Sequence, residues 1–235
     1  MYAIIIEPFS LIWWRMNYAA LFIGISLLLF TMFLPLNGKK IFAKYLGVFL
    51  LFDLCFFECA LYHMGAWNFQ WALPLHYCTI MELAGAITLI TRLQWLYEVI
   101  VFLGMIGPLQ ALLAPALPYE GGYFFYDFYV SHGATIFAPI FLVVSFKMRP
   151  RKSAWWRVSL SFFLFSGVVF CFNYITGSNY MFLMEKPPLD HPLLEIGEWP
   201  NYIFIWGAII FTWSFLLNLV FVLSNQFLKK NTVER

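Results

Sequence analysis

Seven apolar stretches, 17–36, 42–64, 74–91, 95–117, 125–146, 156–176 and 200–228, account for most of this 235-residue sequence. Each is near the 20 or so residues that a helix needs to cross roughly 30 Å of hydrocarbon. Only helices and closed barrels satisfy their backbone groups in lipid, and unbroken apolar runs without alternation select helices. The expected fold is therefore all-α: a polytopic membrane protein of seven transmembrane helices forming a single domain, 1–235. Loop signals stand between the runs at Asn37-Gly38-Lys39-Lys40, 65–68, Arg92, 118–122 and Arg149-Pro150-Arg151-Lys152, and 177–199 is the one long loop. Charged residues make up 11% of the chain and the formal net charge is +2, which gives no electrostatic footprint for a nucleic-acid partner.

The few charges are placed unevenly. Lys39, Lys40, Lys44, Arg92, Lys147, Arg149, Arg151, Lys152, Arg157, Lys229, Lys230 and Arg235 fall on one side of the seven-span arrangement, leaving only Arg15 and Lys186 on the other. The positive-inside rule then places the N-terminus outside and the C-terminus in the cytoplasm of a multi-pass cell-membrane protein. Residues 1–14 carry Glu7 and Pro8 in place of a basic n-region and no small-x-small cleavage site follows, so the first span is expected to be kept. Trp13, Trp14 and Arg15 suit a short amphipathic segment lying in the interface over 1–14.

Polar side chains inside a membrane are costly and call for a partner or a function. At 1.5 Å per residue, His76 and Cys78 lie about one turn inside the outer end of the third span, Gln110 about 10 Å inside the fourth, His132 roughly 12 Å inside the fifth and Asn173 about 5 Å inside the sixth. His63 ends span two on that side, and the long loop adds Asn179, Tyr180, Lys186 and His191. Many such groups simply join helices, and Asp53, Glu58 and Glu98 are read that way, with Glu98 near enough to Arg92 and the inner interface to be solvated. Of the four cysteines, Cys55, Cys59 and Cys171 read as small apolar fillers. No C-x-x-C pair exists for a disulfide framework or a zinc ribbon.

Cys78 differs from these. Pro74 suits a helix start, which puts Cys78 within the first turn and a half, where the helix dipole favours a thiolate. His76 is two residues away and points elsewhere, whereas Glu82 shares the face of Cys78 at i+4. His132, on another helix at similar depth, is the better base for nucleophilic acyl transfer.

Four ordered segments carry a family resemblance: Leu73-Pro74-Leu75-His76-Tyr77-Cys78, Leu109-Gln110-Ala111-Leu112-Leu113-Ala114-Pro115, Phe128-Tyr129-Val130-Ser131-His132-Gly133, and the run from Asn173-Tyr174-Ile175-Thr176-Gly177-Ser178-Asn179-Tyr180 to Lys186-Pro187. Over about 67–213 the chain resembles the YwaF-like family of bacterial integral membrane proteins, related to the eukaryotic transmembrane protein 164, which is described as a phospholipid acyltransferase. The resemblance implies seven helices and a catalytic pair matching Cys78 and His132. His76, Gln110, Asn179, Tyr180 and Lys186 match further motif positions. Asp127 lies outside the pattern.

The leading expectation is an acyltransferase or lipid hydrolase acting on phospholipid acyl chains near the outer leaflet, with no cofactor. Cys78 is its nucleophile and His132 its base. Gln110 or Asn179 serves as an orienting or oxyanion donor, and Asn173, His76, Tyr180 and Lys186 form a substrate-binding set, Lys186 and Tyr180 facing a lipid phosphate. A kink at Gly107-Pro108 would open a lateral groove for the tail. Two alternatives stand beside it: a metal-dependent hydrolase using His76, His132 and Asp127 or Glu82, and a non-enzymatic transporter or sensor whose buried His and Glu couple protons. A retinal Schiff base is excluded from the last span, which has no lysine before Lys229.

Overall fold

The computed structural model describes residues 4–117, 122–186 and 196–233. The chain enters through a two-residue strand β1 (Ile4–Ile5) that pairs antiparallel with β2 (Ala116–Leu117). Helix α1 (Leu11–Phe33) starts where the Ser10 hydroxyl accepts the N–H of Trp13, and it ends just before Pro35, whose ring holds Leu34 extended. Trp13 and Trp14 thus belong to the first helix, not to a separate surface segment. The Trp13 indole and the Asn17 amide donate to the carbonyls of Leu113 and Leu112, 3.0 and 3.2 Å away. Helices α2 (Leu36–His63), α3 (Tyr77–Thr91), α4 (Gln94–Phe102), α5 (Ile106–Leu113), α6 (Gly122–Phe146), α7 (Ala154–Thr176) and α8 (Asn201–Val233) follow, with one 3-10 turn at Tyr180–Phe182.

Among the described residues, six helices are long and apolar enough to cross a membrane, α4 and α5 together counting as one over Gln94–Leu113. The expected third span is the short one. Helix α3 has 15 residues, about 23 Å of rise, because 64–76 does not continue into it as helix. That segment is a folded platform. The N–H groups of Ala66 and Trp67 bond back to the carbonyl of Leu61, the Trp67 indole donates to Glu58 at 2.7 Å, and the Gln70 amide donates to the carbonyl of Thr176. The fourth span bends earlier than Gly107-Pro108. Its break lies between α4 and α5 at 103–105, because the Pro108 ring crowds the carbonyl four residues back, that of Gly104.

The main core lies where α2, α3, α4 and α6 meet, around Leu50, Ala86, Leu89, Tyr97, Ile100, Phe102, Phe141 and Leu142, all essentially without exposure. Gly47 permits the α2–α3 contact, since a Cβ there would sit 2.6 Å from the carbonyl of Ala86. Outward faces remain apolar, with Phe22, Phe33, Phe52 and Ile175 exposed as lipid would require. Cys55, Cys59 and Cys171 are on this exposed surface, so they are lipid-facing residues and not buried fillers. Glu98 is likewise corrected: it is 2% exposed instead of solvated, and its partner is Arg151, not Arg92. Arg92 lies over the ring of Phe146.

Candidate functional site

The platform decides where Cys78 stands. Tyr180, fully buried, inserts its hydroxyl into it, donating to the carbonyl of Phe69 at 2.5 Å and accepting the N–H of Leu73 at 3.0 Å. Burial pushes the Tyr180 phenol above its ordinary pKa, which keeps the donor protonated. With 64–76 pinned in this way, α3 begins after His76, three residues later than Pro74, and Cys78 becomes its second residue. The N–H groups of Tyr77, Cys78 and Thr79 have no acceptor among the described residues, as is usual for the first turn of a helix whose cap residue supplies no side-chain bond. Three unpaired donors put the positive end of the helix dipole beside the thiol.

The start of α5 closes over this turn. A Cβ on Gly107 would fall 2.5 Å from the Tyr77 ring and 3.4 Å from Cys78 Sγ, so the missing side chain is what lets α5 approach. The Tyr77 hydroxyl donates to the carbonyl of Leu103 at the helix break, 2.6 Å away. Cys78 is half-buried and its sulfur makes no hydrogen bond among the described residues. Gln110 lies one turn along α5 from Gly107, partly exposed, and its amide also has no partner there.

His132 projects from α6. Its Nδ1 is 2.6 Å from the carbonyl of Phe128 and 3.3 Å from Ser131 Oγ. A carbonyl oxygen only accepts, so Nδ1 carries the proton and Nε2 of the neutral ring holds the free lone pair. The Phe128 ring lies 4.3 Å from the imidazole and fixes its plane. Gly85 of α3 approaches Ala138 of α6, which sets Cys78 and His132 at comparable depth, seven and six residues back along their helices. No hydrogen bond joins them.

The remaining expected site residues divide in two. Asn173 and Tyr180 are clipped together, the Asn173 amide donating to the carbonyl of Tyr180 at 2.9 Å and its oxygen accepting the N–H at 3.0 Å. Asn179 accepts from the N–H groups of Met184 and Glu185 and donates to the carbonyl of Glu185. These three build the loop after α7, whose turn at Gly177 has φ 66°. His76, half-buried, lies against the rings of Tyr180 and Phe182 at 5.1 and 5.7 Å. Lys186 pairs with Glu198 at 2.9 Å on the rim. His191 lies outside the described residues. No three His, Cys, Asp or Glu side chains among the described residues converge to hold a metal ion.

One cluster has no counterpart in the sequence pattern. Asp53 of α2 and Asp127 of α6 meet at the hydroxyl of Tyr123, 3.0 and 3.1 Å from their Oδ1 atoms, with Glu82 of α3 within electrostatic reach of both. Glu82 stands 29 residues after Asp53 and 45 before Asp127, so no local spacing announces them; the only signal is three carboxyls inside apolar runs.

No curated protein and no solved structure matches the chain. A family model does, over residues 7–219, and the chain therefore belongs to the TMEM164 family of membrane proteins.

Proposed function

We propose that the protein transfers or hydrolyses acyl chains of phospholipids within the membrane, with Cys78 as nucleophile. The observation that carries this reading is the position of Cys78 as second residue of α3, beside three unpaired backbone N–H groups. In the first step His132 Nε2 accepts the thiol proton, Sγ bonds the ester carbonyl carbon, and the carbonyl oxygen turns its developing charge toward the first-turn N–H groups. The carbon–oxygen bond to the leaving alcohol then breaks, and that alcohol takes the proton from His132. A second alcohol, or water, gives its proton to Nε2 and attacks the thioester carbonyl carbon; the carbon–sulfur bond breaks and Sγ takes the proton back from Nε2. Gln110, whose amide has no partner among the described residues, orients the ester; His76 and Lys186 line the approach for a headgroup. Cys78 and His132, which share no hydrogen bond here, are brought together by the ester that binds between them.

The same reading assigns seven crossings, with the N-terminus outside. Non-helical backbone at membrane depth is tolerated where protein buries it, and the platform at 64–76 completes the crossing that the short α3 begins. Single cysteines placed in 177–186 of a chain otherwise lacking exposed thiols should react with a membrane-impermeant reagent from outside intact cells, and those at 149–153 should be protected. The reverse pattern would invert the topology.

Turnover of a phospholipid carrying a labelled acyl chain, measured in proteoliposomes, tests the chemistry. His132→Ala should lower the rate by about 10²–10⁴-fold, the range for loss of a general base, and a chelator should leave it unchanged. Full activity in His132→Ala would remove the base from the scheme.

A further inference from the structure

The cluster at Tyr123 borders a cavity of about 290 Å³ between α2 and α6, open sideways toward lipid and lined by Phe49, Phe52, Asp53, Phe56, Tyr126 and Asp127, among others. Its aromatic walls are exposed, Phe52 at 64% and Tyr126 at 62%, while Asp53 at its floor is only 8% exposed. Two carboxyl groups crowd one hydroxyl there. The Tyr123 hydroxyl has one proton to give, yet it stands within bonding distance of Oδ1 of both aspartates. Asp53 Oδ2 and Glu82 Oε1 are buried and have no partner among the described residues. Among the described residues, no lysine, arginine or histidine forms an ion pair with any of the three acids. Asp127 is about 8 Å below the start of α6, a depth that the charged head of an amphiphile reaches with its tail still in hydrocarbon.

We infer that this cavity binds an alkylammonium amphiphile, a singly positive head without phosphate on an apolar tail, entering from the bilayer. With one carboxyl proton shared between them, Asp53 and Asp127 carry a single negative charge, the complement of one ammonium. Phe52, Phe56 and Tyr126 offer ring faces to the ammonium, a contact worth about 0.5–1 kcal/mol for each well-placed ring. A phosphate on the same head would meet Asp127 and be repelled. Neither Cys78 nor His132 lines the cavity, so this binding is independent of the thiol chemistry.

Equilibrium binding of radiolabelled dodecyltrimethylammonium, below its micelle concentration and to the full chain in a neutral maltoside detergent, tests it. The expected result is one saturable site. Affinity should fall about tenfold or more in Asp127→Asn and about two- to fivefold in Phe56→Ala, which removes one ring of the cavity wall. Dodecylammonium should compete, and dodecanol and lysophosphatidylcholine should not. Non-saturable uptake, equal affinity in both variants, or equal competition by dodecanol would overturn the inference. Competition by lysophosphatidylcholine as strong as that of dodecylammonium would overturn the exclusion of phosphate and assign the pocket to a phospholipid head.

Discussion

At the end of the bundle where α4 begins, Glu98 is met from every side: its Oε1 accepts from Arg151 Nε and the Arg151 N–H at 2.8 and 2.9 Å and from the Gln94 amide at 3.0 Å, and its Oε2 accepts from Arg151 Nη2 at 2.6 Å. At the opposite end, Asp53 and Asp127 share the one phenolic proton of Tyr123, and Asp53 Oδ2 and Glu82 Oε1 are buried and unpaired among the described residues. Both ends hold buried carboxyl groups in an apolar bundle, but only one holds its counter-ion. A satisfied buried charge fastens structure, whereas an unsatisfied one is kept where something else is to be bound or transformed. Cys78, His132 and Gln110 belong to the unsatisfied end, each with an atom free for chemistry.

The sharpest break of this contrast is a pair of melting curves. Arg151→Ala strips the cation from a carboxylate that is almost wholly buried, and should lower Tm further than Gly107→Ala or Tyr180→Phe does. Asp127→Asn relieves the crowding of two acids that no cation neutralises, and should leave Tm unchanged or raise it. A large drop in Asp127→Asn would mean that the acid cluster is structural after all, like Glu98. Gly107→Ala comes next. Its methyl would overlap the Tyr77 ring, and overpacking of this kind costs about 1–3 kcal/mol, read as a lower Tm together with reduced turnover through the displaced thiol. Tyr180→Phe loses the bonds to Phe69 and Leu73 and should cost about 1 kcal/mol, with turnover falling because α3 loses its fixed start. The smallest effect belongs to Cys55→Ala, Cys59→Ala and Cys171→Ala, which face lipid away from the site and should leave both Tm and turnover near wild type.

The helices are legible in the sequence because each apolar run is long and uninterrupted, and the Pro108 break is legible to within one helical turn. The late start of α3 is not. Pro74 marks a helix start by its own chemistry, but the start is moved to Tyr77 by Tyr180, more than a hundred residues away, holding the backbone of Phe69 and Leu73. The same distance effect misdirects part of the expected binding set: Asn173, Asn179 and Tyr180 are conspicuous polar residues in an apolar chain, and nothing local says that the loop they sit in consumes their hydrogen bonds. Asp127, which fits no pattern, meets Asp53 across the α2–α6 contact, a relation set by packing and not by spacing.

The central claim is that the free thiol at the head of α3 is the group that forms and breaks the acyl bond. Mass analysis of the protein after brief exposure to a phospholipid donor tests it most directly. An acyl adduct on the peptide containing Cys78, released by hydroxylamine and absent in Cys78→Ala, is the predicted result, with turnover abolished in that variant and Tm nearly unchanged. Full turnover by Cys78→Ala would contradict the account.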